Sequence, residues 1–479
     1  MARYAAPGEP GSAVTYRDRY DHFIGGEYVP PARGGYFADR TPVTGEVFTE
    51  VARGTAADVD RALDAAHGAA RRWGRTPAAE RATVLTEIAD RLEDHLDALA
   101  VAETWDNGKP IREALTADLP LAVDCFRHFA GVVRAQEGGL SQLGEDLVAH
   151  RFPEPLGVVG QLVPWSFPLL AAAWHLAPAL AAGNTVVLKP AEQTPASIHV
   201  LVGLIADLLP PGVVNVVNGF AAEAGMLLAA HRRVAEVVAA PDQGGRSPVV
   251  VFADVAARRD ALHERALEGF ALFALNQGGP GACPSRALVQ SPAYDRFLAD
   301  AAERAGALRQ GHPLDPGTEV GAQVGREQVD KVLSCVRAGR REGARVILGG
   351  ERADLGGELS GGYYVAPTIL EGDHGMRVFQ EPVPGPVLCV TRFDDFDDAV
   401  KTANGTPCGL GAGVWSRDAG VAYRAARELR AGRVWVNSHH AHPAHAAFGG
   451  GRPGGNDRAV LDRYQLTKDL LVGYPEQGR

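Results

Sequence analysis

A chain of 479 residues is too long for one compact core and suits two sizeable domains. Its hydrophobic content of 46% and charged content of 22% are those of ordinary folded domains, and no apolar run approaches the ~18 residues that a membrane span requires. The net charge of -10 and the scattered Arg and Lys residues exclude the basic surface that a nucleic-acid-binding protein needs.

The N-terminus and the cysteines indicate the compartment. The first 20 residues contain neither the apolar segment of a secretory signal nor the pattern of a transit peptide, so a cytoplasmic location is expected. The five cysteines are widely spaced and include no CxxC pair, which argues against a disulfide framework and against a structural zinc site. Free thiols are therefore expected.

The predicted elements begin after an N-terminal arm. Residues 1–20, rich in Ala, Gly and Pro, are expected to be flexible, and the segment FIGGEYV from Phe23 is expected to form one short strand. Between Ala56 and Thr104 apolar residues recur mainly at three- and four-residue intervals, which predicts amphipathic helices. From Leu156 short β-rich runs alternate with helical segments, which is typical of a parallel sheet with crossover helices.

A second α/β set runs from about Ser247 to Asn437, with strands predicted at PVVVF, SRALVQ, ARVILGG, PVLCVTRF and RVWVNS. The segments GEDLVAHRF and VLDRYQLTKDLLVGYP are candidates for extra strands. The sequence therefore predicts an α/β protein with two doubly wound lobes and a small β element.

Motifs along nearly the whole chain resemble those of the aldehyde dehydrogenase family. They are WDNGKPIREA from Trp105, PWSFPLLAAAWHLAPALAAGNTVVLKPAEQTP from Pro164, LPPGVVNVVNGF from Leu209, GHPLDPGTEVG from Gly311, GGYYVAPTIL from Gly361 and NGTPCGLGAGVWSRD from Asn404. The resemblance implies oligomeric enzymes that oxidise aldehydes to carboxylic acids with NAD or NADP, through a cysteine thiohemiacetal. It also implies a domain division: a nucleotide-binding-type domain (21–133 and 153–246), a catalytic-type domain (247–446) and oligomerisation strands (134–152 and 457–479).

The nucleophile motif departs from the family's pattern. Where the family reads N-Q-G-Q-x-C-x-x-G-S/T-R, this chain reads NQGGPGACPSR from Asn276, so Gly281 occupies the nucleophile position. Cys283 lies two residues further on, and a misplacement of ~1 Å can already cost about a hundredfold in rate. Two interpretations stay open: Cys283 is a small buried residue, or the loop, rich in Gly and Pro, re-registers and delivers it as the nucleophile.

The oxyanion and base positions also differ. Ser166 stands where the resemblance implies an Asn amide that donates to the oxyanion, and its side chain is shorter with only one donor. Asp242 stands where the family has the general-base Glu, and it is one methylene shorter. The alternative interpretation of Asp242 is a solvated loop acid.

The cofactor site is retained only in part. Lys189 and Glu192 match the family's adenosine-ribose contacts, and Trp165 is the third residual cofactor-binding candidate. The family has a turn, a helix and a strand before the general-base motif, whereas here only PDQGGRS joins the predicted strands VAEVVAA and PVVVF. A crossover between parallel strands needs ~10 to 12 residues, so the helix whose N-terminus would face the pyrophosphate cannot fit.

Two further segments bear on ligands. Pro382 and Pro384 alter the turn whose Glu holds the nicotinamide ribose in the family. The loop from His439 to His445 holds four histidines, but their spacing matches no standard metal site, so no metal is expected.

Together these departures favour a pseudoenzyme: a catalytically silent member that needs no cofactor and serves as a structural or regulatory subunit. Its expected partners are copies of itself or an active aldehyde dehydrogenase, and neither nucleic acid nor membrane is expected. The first alternative is an active NAD(P)-dependent dehydrogenase with Cys283 as a displaced nucleophile. The second is a thiol esterase that uses Cys283 without a cofactor.

Overall fold

The computed structural model describes residues 3–239, 246–279, 283–406, 410–438 and 458–474. Its strands are β1 Arg19–Tyr20, β2 His22–Ile24, β3 Glu27–Val29, β4 Tyr36–Arg40, β5 Val47–Ala52, β6 Gly139–Gln142, β7 Leu147–Pro155, β8 Val158–Val163, β9 Thr185–Pro190, β10 Val214–Val216, β11 Glu236–Ala239, β12 Ser247–Val251, β13 Pro284–Gln290, β14 Arg345–Leu348, β15 Thr368–Glu371, β16 Val387–Phe393, β17 Gly411–Trp415, β18 Arg433–Val436 and β19 Gln465–Gly473.

Its α-helices are α1 Ala56–Gly74, α2 Ala78–Asp94, α3 Leu96–Asn107, α4 Ile111–Glu113, α5 Leu119–Arg134, α6 Pro168–Ala182, α7 Ala196–Ile205, α8 Met226–Ala229, α9 Ala261–Ala271, α10 Tyr294–Gly306, α11 Arg326–Arg341, α12 Arg377–Gln380, α13 Phe396–Ala403, α14 Ala419–Glu428 and α15 Arg458–Arg463. The predicted helices between Ala56 and Thr104 are thus confirmed as α1, α2 and α3. No helix in these ranges is long and apolar enough to cross a membrane.

The first lobe is built on a six-stranded sheet in the order β11-β8-β9-β10-β2-β3. The strands from β8 to β11 pair in parallel, as predicted, and the hairpin of β2 and β3 adds an antiparallel edge. The prediction of a single strand in FIGGEYV is wrong, because Gly25 and Gly26 take positive φ angles of 66° and 90° and reverse the chain. Helix α6 is apolar around nearly its whole surface because it is enclosed by β8, β9, α2 and α5.

The second lobe is built on a seven-stranded sheet in the order β14-β15-β16-β13-β12-β17-β18, in which every pair except β14 with β15 is parallel. All five predicted strands are present, and the sheet also contains β15 and β17, which the prediction did not include. Strand β17 has the sequence GAGVW, whose glycines and alanine carry little strand preference. Its complete burial in the sheet, rather than its local sequence, explains the strand.

Strands β11 and β12 lie in different sheets, which corrects one premise of the sequence analysis. The crossover rule applies to parallel neighbours in one sheet, whereas residues 240–246 here connect the first lobe to the second. The conclusion about length is unaffected, because those residues are too few for a turn, a helix and another strand. Strand β11 pairs with β8 and ends the six-stranded sheet at that side, as far as the structure describes it.

Two small sheets complete the described fold. Strands β1, β5 and β4 form one, and β19, β7 and β6 form the other, which is antiparallel. The two candidate extra segments supply β7 and β19, whereas β6 precedes the first of them. The N-terminal arm, predicted to be flexible, contacts the body of the protein: Ala6 and Val14 are buried, the Tyr4 amide donates to Leu314, and the Tyr16 hydroxyl donates to Ala102.

Candidate functional site

The cofactor candidates of the first lobe lie at the carboxyl ends of two neighbouring parallel strands. Trp165 and Ser166 follow β8, and Lys189 lies in β9, in register with Leu162 of β8. Side chains after adjacent parallel strands meet at one sheet edge, where open α/β sheets bind ligands. The structure therefore brings Trp165, Ser166 and Lys189 to the same edge.

Lys189 and Glu192 form an ion pair with 2.7 Å between Nζ and Oε2. Burial lowers the pKa of Lys189, and Glu192 opposes that shift. Burial disfavours the charge of Glu192, but the hydrogen bond and the charge of Lys189, together with hydrogen bonds from backbone amides, hold the Glu192 pKa below its usual value. A fixed cation and carboxylate suit the hydroxyl groups of a ribose, so these two residues fit that part of a dinucleotide.

The second lobe contributes a strained segment before the nucleophile motif. Asn276 and Gln277 adopt left-handed backbone conformations, with φ angles of 43° and 52°. The Asn276 amide donates to Glu113 Oε2 at 2.8 Å, and the Gln277 side chain donates to the Ala322 carbonyl at 2.7 Å. The strain of two non-glycine residues is thus held by buried partners from another part of the chain.

The same segment fixes the loop that carries Ser166. The Asn276 side-chain amide donates to the Ser166 carbonyl, and the Asn107 side-chain amide donates to the Trp165 carbonyl at 2.6 Å. Gln277 also reaches Asn107 Oδ1 at 3.4 Å. These buried amides connect the two lobes directly behind the candidate oxyanion position.

Gly278 and Gly279, which precede the nucleophile position, lie where the surrounding atoms leave little room for a side chain. Gly278 has a φ of 73°, and a Cβ there would lie 2.1 Å from the Gly385 carbonyl oxygen. A Cβ at Gly279 would lie 3.2 Å from the Trp165 ring. A residue larger than glycine at position 279 would therefore be in close contact with the Trp165 ring.

Cys283 is buried, with 3% of its surface exposed. Burial raises its thiol pKa well above the usual value, and the negative charges of Glu113 and Asp118 raise it further. A reactive thiol needs the opposite environment, one that stabilises the thiolate. The surroundings of Cys283 thus favour a protonated thiol at neutral pH.

A buried ionic cluster under the site escaped the sequence analysis. Lys109 Nζ lies 2.5 Å from Glu103 Oε1 and 2.7 Å from Asp118 Oδ2, and all three side chains are buried. Burial disfavours the charge of Lys109, but Asp118 and Glu103 outweigh burial and raise its pKa. Glu103 also accepts the Leu169 amide at the start of α6, which follows Ser166. Two acids close to the lysine of WDNGKPIREA were the only signal in the sequence.

Several predicted residues lie outside the described ranges. They are Gly281, Asp242 and the histidine loop from His439 to His445, so their assignments stay predictions. Within the described ranges no group of three or more His, Cys, Asp or Glu residues could hold a metal ion. No disulfide joins the described cysteines, which are Cys125, Cys283, Cys335 and Cys389, and Cys408 lies outside these ranges.

Known proteins resemble this chain over its whole length. A family model described as the aldehyde dehydrogenase family matches residues 28–240 and 238–468. The chain is 60% identical to fluoroacetaldehyde dehydrogenase of Streptantibioticus cattleyicolor, covering 100% of this chain and 99% of that protein. It is 55% identical to acetaldehyde dehydrogenase 2 of Cupriavidus necator, covering 97% of each.

Solved structures share the fold. An NAD+ complex of aldehyde dehydrogenase from Bacillus cereus superposes with a TM-score of 0.90 at 32% identity, covering 98% of this chain and 100% of that one. A mutant of P. syringae indole-3-acetaldehyde dehydrogenase in complex with NAD+ and IAA gives a TM-score of 0.89 at 35% identity, covering 96% and 97%. The predicted α/β fold with the aldehyde dehydrogenase architecture is confirmed.

The alignment with the Streptantibioticus protein also shows that this chain lacks residues that the relative has. It spans 503 positions, whereas this chain has 479 residues, so at least 24 aligned positions have no residue in this chain. The two segments matched by the family model overlap at residues 238–240, at the end of β11. Lys189 and Glu192 therefore fit a ribose, and the family match divides near residues 238–240.

Proposed function

This chain is a member of the aldehyde dehydrogenase family, and we propose that it has lost the family's oxidation reaction and serves as a structural or regulatory subunit of an aldehyde dehydrogenase assembly. One observation carries the proposal: the alignment gap of at least 24 positions and the break in the family match at residues 238–240. Loss of the turn, helix and strand at the pyrophosphate site would account for this missing length. A dinucleotide would then keep its contact with Lys189 and Glu192 but lack its phosphate anchor.

The nucleophile loop supports the same proposal. Gly281 provides no nucleophile at the position that the motif assigns to cysteine. Cys283, the thiol next along the chain, is buried beside Glu113 and Asp118, and its pKa is raised. Covalent catalysis by cysteine requires a thiolate, so this environment disfavours the first step of aldehyde oxidation.

The similarity itself favours a second candidate, an active NAD(P)-dependent aldehyde dehydrogenase. The relatives at 60% and 55% identity are named for fluoroacetaldehyde and acetaldehyde, and neither the family match nor these names support a loss of activity. On this hypothesis Cys283 attacks a short aldehyde, Ser166 donates to the oxyanion and Asp242 acts as base. NAD would accept the hydride, since two structural neighbours are NAD+ complexes. Aldehyde turnover that disappears in Cys283→Ala would select this candidate.

The subunit role rests on the antiparallel sheet of β19, β7 and β6. Leu470 of β19 and Leu140 of β6 both pair with His150 of β7, so the three side chains share one face of the sheet. Phe152 lies two residues from His150 on that face, and Leu466 lies four residues from Leu470. Leu140, Phe152, Leu466 and Leu470 on this face are exposed apolar residues. Such a face, beside the free edge of β19, is suited to pairing with another subunit.

We expect the purified chain to be oligomeric at micromolar concentration. Leu470→Lys should lower the molar mass of the assembly, because a charge on this face opposes its burial against another subunit. Light scattering coupled to gel filtration measures both. Tyr423→Lys is the matched control, since Tyr423 is an exposed apolar residue on α14, away from the sheet. A wild-type chain that elutes as a monomer would count against the proposal.

Mixed assembly is tested by co-expression with the Streptantibioticus fluoroacetaldehyde dehydrogenase, whose mass differs from that of this chain. Native mass spectrometry should find complexes that contain both chains. If only separate homo-oligomers form, the proposed role beside an active dehydrogenase is contradicted, while self-assembly is retained.

A further inference from the structure

A histidine lies in the middle of the apolar face of the sheet formed by β19, β7 and β6. His150 of β7 pairs with Leu470 of β19 on one side and with Leu140 of β6 on the other. Its ring stacks on the ring of Phe152, with 6.3 Å between the centroids and 17° between the ring planes. His150 is half-buried, whereas Leu140, Leu470 and Phe152 are exposed. The imidazole is therefore bordered by apolar side chains that the described part of the chain leaves accessible.

The fixed charges on this face cancel. Because side chains alternate along a strand, Lys468 of β19 and Glu154 of β7 lie on the same face as His150. Lys468 Nζ lies 3.0 Å from Glu154 Oε1. Arg151 and Asp469 turn to the opposite face, where they lie 3.4 Å from each other. A neutral His150 thus leaves the face without net charge, since its other members are Leu140, Gln142, Val148, Phe152, Leu466, Leu470 and Val472.

A face with these properties fits a second copy of the same chain. In a symmetric contact the same patch is buried on both subunits, so any net charge on the patch would meet its own like. The paired charges of Lys468 and Glu154 avoid that repulsion, and the exposed apolar side chains gain by leaving water. Each such contact would enclose two copies of His150.

We propose that His150 makes the self-association of this chain pH-sensitive, which rests on the subunit role proposed above and adds both its partner, a second copy, and its control. The copies associate while the ring is neutral and separate when it gains a proton. Imidazole is the side chain whose charge ordinarily changes between about pH 5 and about pH 8. A charged ring enclosed between two apolar faces would lose its hydration without gaining a counter-ion, because Glu154 already pairs with Lys468.

The direction of the pH dependence follows from linkage between proton binding and assembly. A ring that becomes buried on assembly binds a proton less tightly in the assembly than in the free subunit. Assembly is therefore strongest at alkaline pH and weakens as the pH falls. Each proton taken up on dissociation raises the dissociation constant by about tenfold per pH unit, and a symmetric contact with two rings raises it by up to about a hundredfold.

Gel filtration coupled to light scattering of the full-length protein, from about pH 8 down to about pH 5.5, tests the proposal. The wild type should lose molar mass as the pH falls. His150→Gln, which stays neutral, should keep the alkaline mass throughout, and His150→Arg should show the lower mass at every pH. His67→Gln removes an exposed histidine of α1 and should behave as the wild type. Circular dichroism at each pH checks that the subunits stay folded.

The outcomes separate the pH control from the subunit role. A wild type that is monomeric even at alkaline pH would contradict the subunit role, and the pH control with it. A wild-type mass that is the same at both ends of the range would overturn the pH control alone. Dissociation that persists in His150→Gln would overturn it as well, because another group would then be responsible.

Discussion

Gly281→Cys will not recover aldehyde oxidation. The substitution restores a thiol at the position that the motif assigns to the nucleophile, but hydride transfer also requires a nicotinamide held next to the thiohemiacetal. On the proposed function, the missing length and the replacements Pro382 and Pro384 would leave the pyrophosphate and the nicotinamide ribose without contacts. Loss of a catalytic nucleophile alone can lower kcat by on the order of a millionfold, so the wild type is also expected to show no turnover.

NADH formation from fluoroacetaldehyde and acetaldehyde measures this prediction, with wild type, Gly281→Cys and Cys283→Ala assayed together. The Streptantibioticus fluoroacetaldehyde dehydrogenase serves as the positive control. Hydrolysis of 4-nitrophenyl acetate provides a second readout, because acylation of a thiol by an ester needs no hydride acceptor. Gly281→Cys is expected to gain slow esterase activity only.

Two outcomes of the same assays would contradict the account. Turnover by the wild type that vanishes in Cys283→Ala would establish Cys283 as the nucleophile and an active dehydrogenase. NADH formation by Gly281→Cys alone would show that the cofactor site is more complete than the alignment gap implies.

Lys109→Met will be strongly destabilised. Lys109 is the cation between the buried carboxylates of Glu103 and Asp118, and methionine preserves the volume but removes the charge. Breaking a buried ion pair by removing one partner typically costs about 3 to 5 kcal/mol, because the remaining charges stay buried without compensation. The midpoint of urea unfolding at pH 7 should fall accordingly. The deficit should shrink at acidic pH, because burial raises the pKa of Glu103 and its protonation removes an unpaired charge.

The matched control is Lys468→Met. Lys468 also contacts a carboxylate, with 3.0 Å between Nζ and Glu154 Oε1, but the two side chains are 61% and 50% exposed. Exposed pairs contribute little to stability, so its unfolding midpoint should match that of the wild type. Equal effects of the two substitutions would show that Lys109 is not a buried structural cation.

The sequence predicted the helices and strands better than it predicted which strands pair with each other. Apolar spacing identified α1, α2 and α3, and the alternation after Leu156 identified the parallel sheet of the first lobe. It did not show that β11 and β12 belong to different sheets, because hydrogen-bonding partners are set by contacts between distant segments. It also did not indicate β17, whose GAGVW sequence forms a strand because the surrounding sheet buries it.

Site residues were predictable from the sequence where they belong to a motif, but not where they are charged residues that the fold buries. The motif indicated Lys189 with Glu192, and the structure places the two side chains in contact. The Lys109 cluster looked like ordinary solvated charge in the sequence, since burial of an acid or a lysine is not visible in local composition.

Calorimetric titration of the purified protein with NAD+ and with NADP+ tests whether the chain has lost dinucleotide binding. The Bacillus cereus aldehyde dehydrogenase, known as an NAD+ complex, is the positive control. On the proposed function we expect no saturable binding in the micromolar range, because Lys189 and Glu192 would hold one ribose while residues 240–246 are too few for a helix whose N-terminus could bind the pyrophosphate. A saturable site with micromolar affinity for either dinucleotide would contradict the claim and favour the active dehydrogenase.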